Sequence, residues 1–303
     1  MPGMARPSAL PVLSAEMEAS RERLQSHVYT LAVDIGERHH RQKGSLDRTA
    51  DYIEGAFADM GYNPVSEVYG KFGFRNVVVN LYGGEAREEI IILGAHYDSV
   101  VLSPGADDNA SGVAALLEIA AMLKQHRPGR TIRFVAFANE EWPYFGRENM
   151  GSLAHAEKAA DRGEKIVAML SLEMLGYFST AENSQRYPKP LNYFYPDTAD
   201  FIAFVGNISS RDLLRRTIFE FRASGQFPSE GLIAPRILVP DIRRSDNSSF
   251  WTNGYAAIMV TDTSNYRNRN YHRPRDTYDT LDYDSMTRVV TGLAGTIRVL
   301  AAN

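Results

Sequence analysis

The sequence contains no cysteine. Disulfides and thiolate metal sites are therefore excluded, and any bound metal must be held by histidine, aspartate and glutamate. The same absence fits a reducing compartment without requiring one. Also missing is any apolar run approaching the roughly eighteen residues of a membrane span. An excess of positive charge is missing too. The 33 lysines and arginines face 37 aspartates and glutamates, and the net charge of −4 offers no basic footprint for nucleic acid. The opening stretch MPGMARPSALPVLSAEM has one arginine and a broken apolar segment, which makes a poor signal peptide. The expected location is cytoplasmic as written, or extracytoplasmic if a signal has been removed.

What is present describes an ordinary globular chain. Its 303 residues, 44% apolar and 23% charged, can bury a substantial core as one large α/β domain or two smaller ones. Leu24, Val28, Leu31 and Ile35 recur at helical spacing. A second helix carries Leu46, Ala50, Ile53, Phe57 and Met60, opened by Ser45 and stopped by Gly61. The pattern then changes to short β-branched runs, NVVVNLYG (76–83) and EIIILGA (89–95), with YGGEAREE as the turn between them. A helix from Ser111, a strand over 130–139, a helix over 151–160 and a strand over 165–174 follow. A strand over 256–262 and a closing helix with Met286, Val290, Leu293, Ile297 and Leu300 on one face complete the series. Strands alternating with helices predict a largely parallel sheet covered on both sides. Between 177 and 245 the regularity weakens into a segment rich in Tyr, Phe and Pro, too long for a plain connection, which reads as a cap or substrate-pocket insertion.

Chemistry collects at the strand ends. One strand runs into His96, another into Glu140 and Glu141, a third into Glu173, and Asp108 lies in the loop that opens a helix. Open α/β sheets bind ligands outside the carboxyl ends of their strands. Taken singly, His96 fits a core histidine, Asp107–Asp108 an acid pair at a helix start, Glu140–Glu141 a solvated loop, and His272 a surface turn. None of these separate readings explains why the residues fall together at strand ends. No G-x-S-x-G elbow, H-E-x-x-H pair or phosphate-binding glycine loop supports a rival chemistry.

Five segments, GAHYDS (94–99), GADDNASG (105–112), FANEEW (137–142), SLEMLGY (171–177) and YHRPRDT (271–277), occur in that order. Together they resemble the zinc-dependent exopeptidase family of bacterial leucyl aminopeptidases, which has glutamate carboxypeptidase and glutaminyl cyclase as relatives. The likeness runs from about Leu24 to the C-terminus. It implies a single domain over 1–303 with 177–245 as its cap, built as a three-layer α/β/α sandwich around a mixed, mostly parallel sheet. It also implies two Zn²⁺ per chain: His96 and Glu173 on one, Glu141 and His272 on the other, and Asp108 bridging both. Glu140 would be the general base for attack of a metal-bridging hydroxide. Asp98 would hold the His96 imidazole, and Tyr271 would polarise the substrate carbonyl. Two Zn²⁺ bring about +4 against three carboxylates, and one hydroxide balances the cluster. The resemblance further implies a cis peptide after Asp108. The substrate would be a peptide, cut most readily as by an aminopeptidase; oligomeric state is left open. A carboxypeptidase, a glutaminyl-cyclase-like enzyme with a single zinc, and a non-catalytic binding domain are the alternatives. Glu173 stands where many members carry aspartate, and Asn247 where relatives usually have histidine, which predicts an altered pocket shape.

Overall fold

The computed structural model describes residues 10–302, so the start of the stretch read for a signal peptide lies outside the described residues. Eight strands form one sheet: β1 (Val65–Tyr69), β2 (Phe74–Leu81), β3 (Ala86–His96), β4 (Arg130–Phe137), β5 (Lys165–Glu173), β6 (Ile202–Gly206), β7 (Ser229–Ile233) and β8 (Ala257–Thr261). Their order across the sheet is β1-β2-β4-β3-β5-β8-β6-β7. The central strands β4, β3, β5 and β8 run parallel, while β1–β2, β2–β4 and β6–β8 pair antiparallel. The sheet is therefore mixed, and its parallel centre is the part that carries the candidate ligands.

Helices cover both faces. On one side lie α1 (Ala15–Tyr29), α2 (Ser45–Asp59), α3 (Gly112–Leu123), α5 (Arg211–Ala223) and α7 (Tyr283–Ala301), whose apolar residues join the large core under the sheet. On the other lie α4 (Gly151–Asp161) and α6 (Asn247–Thr252), packed through Ala156, Ala159 and Phe250. Helix α3 is buried nearly all round, as expected for AALLEIAAML in the middle of a layer. No helix among the described residues is long and apolar enough to cross a membrane.

Helix α2 opens at Ser45, as expected, and the Ser45 hydroxyl bonds the backbone of His39. Two local expectations change. The turn after β2 does not join neighbouring strands, because β4 lies between β2 and β3. The connection crosses the start of β4 so closely that a Cβ on Gly83 would lie 2.4 Å from the Gly129 carbonyl oxygen. Glycine is required there by contact. Finally, the segment 177–245 is not solely a cap: it supplies β6, α5 and β7, which extend the main sheet to its far edge.

Candidate metal centre

The carboxyl ends of the parallel strands deliver the donors. His96 is the last residue of β3 and Glu173 the last of β5. After β4 the chain turns through Asn139, at φ 61°, into Glu140 and Glu141; Met174, just beyond Glu173, and His272 itself also take positive φ. Left-handed backbone at non-glycine residues is uncommon and costs free energy. Here it recurs at the corners that aim these side chains.

Asp108 sits between two groups of donors. Its Oδ1 lies 3.4 Å from His96 Nε2, which is 3.3 Å from Glu173 Oε2. Its Oδ2 lies 3.0 Å from His272 Nε2, which is 3.3 Å from Glu141 Oε1. Two triads, His96–Asp108–Glu173 and Asp108–Glu141–His272, each bring ligand atoms within 4.8 Å of one another and share one carboxylate. His96 Nε2, Asp108 Oδ1 and Glu141 Oε1 are buried and have no hydrogen-bond partner. Buried polar atoms without partners are costly, and cations between them would satisfy all three. The all-nitrogen-and-oxygen donor set fits zinc.

The electrostatics agree. Burial raises the Glu141 carboxyl, helped by Asp108 and opposed by His272 and His96, to about 7. Burial raises Glu140 well above its usual range; His96 opposes this, while Glu141 and Glu173 add to it. Burial depresses His272, but hydrogen bonds and charge from Asp108 and Glu141 prevail and lift it to about 10. Glu141 and His272, which belong to one triad, thus both bind protons more tightly than usual, as donors gathered to face a cation do.

The surroundings fix the cluster. Asp98 Oδ1 lies 3.4 Å from His96 Nδ1 without hydrogen-bond alignment. Both Asp98 oxygens instead accept backbone N–H groups, from Glu140 at 2.9 Å and Glu141 at 3.0 Å. Asp107 turns away from its neighbour and accepts from Gly176 N, the Ser111 hydroxyl and Asn268 Nδ2. The adjacent aspartates thus serve different sites. The Asp108–Asn109 peptide is cis, as expected, and Asn109 ties Leu172, Gly112 and Met174 together.

A model of peptidase family M28 matches residues 76–297, most of the chain. The chain belongs to this family. It is 38% identical to the uncharacterized protein YfbL of Escherichia coli over 94% of this chain and 90% of that one. A zinc aminopeptidase from Bacillus subtilis superposes with a TM-score of 0.73 at 13% identity, covering 93% of this chain and 95% of that chain. A glutaminyl cyclase from Fimbriiglobus ruber superposes with a TM-score of 0.67 at 18% identity, covering 97% and 99%. Those identities show a shared fold. Membership in the family, together with the donor set, makes the chain a zinc-dependent peptidase.

Beside the centre of this M28 peptidase opens a cavity lined by Glu140, Glu141, Glu173 and Tyr271 on one side. The aromatic segment after Glu173 contributes Tyr187, Leu191, Tyr195 and Phe201 to its wall. Tyr177 and Phe178 do not line it, and Phe178 packs on Phe227 instead. Tyr271 stacks on His272 with ring centroids 3.8 Å apart. Asn247, expected to alter the pocket, is not on its wall; its Nδ2 donates to the Ile242 carbonyl, and Ile242 is the residue that lines the cavity.

Arg38 shapes the site without lining its cavity. Arg38 is fully buried and donates to the carbonyls of Tyr97, Leu31, Gly36, Pro104 and Gly105. It clamps the loop that leads from His96 to Asp108, and brings a positive charge near Asp276, Asp98 and Asp108. Arginine in GERHH has no sequence signal for this, since arginines are mostly exposed. Arg38→Met should destabilise the protein by about 3–5 kcal/mol, because buried carbonyls lose a charged donor. Denaturant unfolding measures this, and a loss under 1 kcal/mol would mean the clamp is dispensable.

Proposed function

We propose that the chain is a di-zinc exopeptidase that releases the amino-terminal residue of peptides. The observation that carries this reading is the pair of donor triads sharing Asp108 beside a walled cavity. His96 and Glu173 would hold one ion, Glu141 and His272 the other, with Asp108 bridging. When bound, the ions supply Lewis-acid polarisation of the scissile carbonyl and acidification of the attacking water.

The chain's own groups do the rest. Glu140 belongs to neither triad and lines the cavity beside them. It takes the proton of the attacking water and passes it to the leaving amine, a role suited to a carboxyl whose proton affinity burial has raised. Burial and the neighbouring carboxylates keep the Tyr271 phenol protonated, so that it can donate to the carbonyl oxygen. Asp98 accepts from the backbone N–H groups of both Glu140 and Glu141, which fixes the corner that carries base and ligand.

The end of the peptide follows from charge. The groups around the centre are carboxylates, which favour an ammonium terminus. The cavity's arginines, Arg186 and Arg244, are exposed, and Arg244 is tied to Asp241 at 3.0 Å. A carboxylate terminus would find no buried arginine or lysine on the cavity wall among the described residues. The test is a set of free, N-acetylated and C-amidated dipeptides with zinc-loaded protein. N-acetylation should lower kcat/KM by roughly 10²-fold or more, because it removes the ammonium group, while amidation should leave turnover intact. The reverse pattern would make the enzyme a carboxypeptidase. Conversion of an amino-terminal glutamine to its cyclic lactam without peptide cleavage would favour the cyclase.

A further inference from the structure

The metal centre divides the rim of the sheet. On one side, over β8, β6 and β7, lies the cavity, with Met259, Thr261, Ala203, Val205 and Leu232 in its wall. On the other side lie β4, β2 and β1. Strand β2 runs antiparallel to β4, so it begins where β4 ends, and Phe74 at its start pairs with Tyr69 at the end of β1. The Tyr69 hydroxyl donates to the carbonyl of Ala138, the residue after β4, at 3.1 Å. The turn between β1 and β2 therefore stands at the same rim as Glu140 and Glu141.

A band of rings joins that turn to the centre. The Tyr144 amide donates to the Glu141 carbonyl at 2.9 Å, so Trp142 and Pro143 form the tip of a tight turn that starts on a candidate metal ligand. The Tyr144 ring packs edge-on against Phe74 at 5.4 Å and against His40 at 5.2 Å, and Phe74 meets Phe72 at 5.8 Å. His40 follows the clamp residue Arg38, whose carbonyl accepts from Ser99 N at 2.8 Å, close behind His96 in the chain. None of these rings lines the cavity. Trp142 is nevertheless 70% exposed and Phe72 61%. Large rings standing in water beside a site mark a surface that something else covers.

The direction of a bound peptide supplies the occupant. With the amino-terminal side chain in the cavity and the first carbonyl at the metals, the rest of the chain leaves over the β4 side. An extended peptide advances about 3.4 Å per residue. Trp142 directly follows the ligand Glu141, so the residue after the scissile bond meets it first, and Phe72 stands further along the same band. We propose that this band is the subsite for the leaving part of the substrate. Trp142 packs on the second residue of the peptide and Phe72 on the third, and both favour aromatic side chains there. This rests on the aminopeptidase reading and extends it to the residues that follow the amino-terminal one.

The experiment has two arms. In the first, release of leucine from Leu-Phe-Ala, Leu-Gly-Phe and Leu-Gly-Ala is followed with zinc-loaded wild type, Trp142→Ala and Phe72→Ala, and bound zinc is measured for each. The wild type should prefer Leu-Phe-Ala to Leu-Gly-Ala by about 10-fold or more in kcat/KM, the worth of covering one aromatic ring. Trp142→Ala should cut that preference to about 2-fold or less, and Phe72→Ala should remove the preference for Leu-Gly-Phe. In the second arm, tryptophan emission is recorded. The chain has two tryptophans, and the other, Trp251, is half-buried with its Nε1 held by the Ala257 carbonyl at 2.8 Å. Binding of Leu-Phe-Ala to zinc-loaded Glu140→Gln should move the emission to shorter wavelength as Trp142 loses water, more than Leu-Gly-Ala does. The same protein carrying Trp142→Ala should show no shift. Phe72→Ala, on a separate hairpin, keeps the test decisive if Trp142→Ala disturbs zinc binding. If no tripeptide loses its leucine but the shift depends on Trp142 and on the phenylalanine of the peptide, the aminopeptidase reading falls and the subsite stands. If leucine is released with preferences that neither variant moves, or the emission does not shift on binding, the subsite is overturned. Self-association of the wild type that Trp142→Ala abolishes would also overturn it, by making the band a contact between copies of the chain.

Discussion

Glu140→Gln should lower kcat by about 10²–10⁴-fold, the usual worth of a general base, and leave zinc content at the wild-type level. The substitution keeps the size of the side chain and removes its capacity to accept a proton. Glu140 is absent from both donor triads, so nothing in the geometry ties metal retention to it. Its neighbour behaves differently. Glu141 Oε1 faces His272 Nε2 at 3.3 Å within a triad, and an amide there is a poorer ligand. Glu141→Gln should therefore lose one ion as well as activity. Asp98 grips both backbone N–H groups, and neither bond involves a substituted side chain, which makes the comparison one of chemistry rather than of folding. Turnover and bound zinc, measured for both variants, give four readings. Metal loss in Glu140→Gln with metal retained in Glu141→Gln would mean the roles of the pair are exchanged.

The parts of the site that sequence makes legible are those where residue type and position coincide. His96 and Glu173 end strands whose apolar runs stand out in the sequence, and their neighbours in the sheet are parallel, so their ends share one rim. Asp108 and His272 are polar residues beside such elements, and they meet the strand-end donors in space. What cannot be seen is anything whose role depends on contacts between distant segments. Arg38 looks like a surface arginine until five carbonyls from three stretches of chain are found around it. Asp276 belongs to a recognisable segment, yet its work, accepting the backbone N–H groups of Asp107 and Asp108, spans more than 160 residues. Strands β6 and β7 were hidden for another reason. They are short, and SEGLI places a charge and a glycine where an isolated strand would carry apolar residues. That charge is Glu230, and it interrupts the strand pattern because it faces a cavity. The same logic explains β2 and β3. A glycine pair after a β-branched run signals a tight turn, whereas Gly83 is there because the chain must pass over the start of β4.

Substituting Asp108 with asparagine should remove both ions and abolish turnover, while Glu141→Gln removes one. Asp108 offers a different oxygen to each triad, Oδ1 toward His96 and Oδ2 toward His272, so a single change weakens both sites at once. The metal-free cluster predicts how binding responds to acid. With burial opposed by the charges of Asp108 and Glu141, His272 stays protonated up to about pH 10, and Glu141 is held near 7. Both must give up protons to become ligands, so zinc binding should release protons and weaken as pH falls from 8 to 6. Calorimetry in buffers of different ionisation enthalpy measures the protons released, and elemental analysis of carefully purified protein gives the number of ions. Stability should follow occupancy: free zinc at a thousandfold excess over Kd adds about 4 kcal/mol per site, so chelation should lower Tm by several degrees or more, and readdition should restore it. Asp108→Asn should show neither the fall nor the recovery. A wild-type stoichiometry near one, or an Asp108→Asn variant that keeps two ions, would leave the shared carboxylate without its role and remove the basis of the two-metal reading.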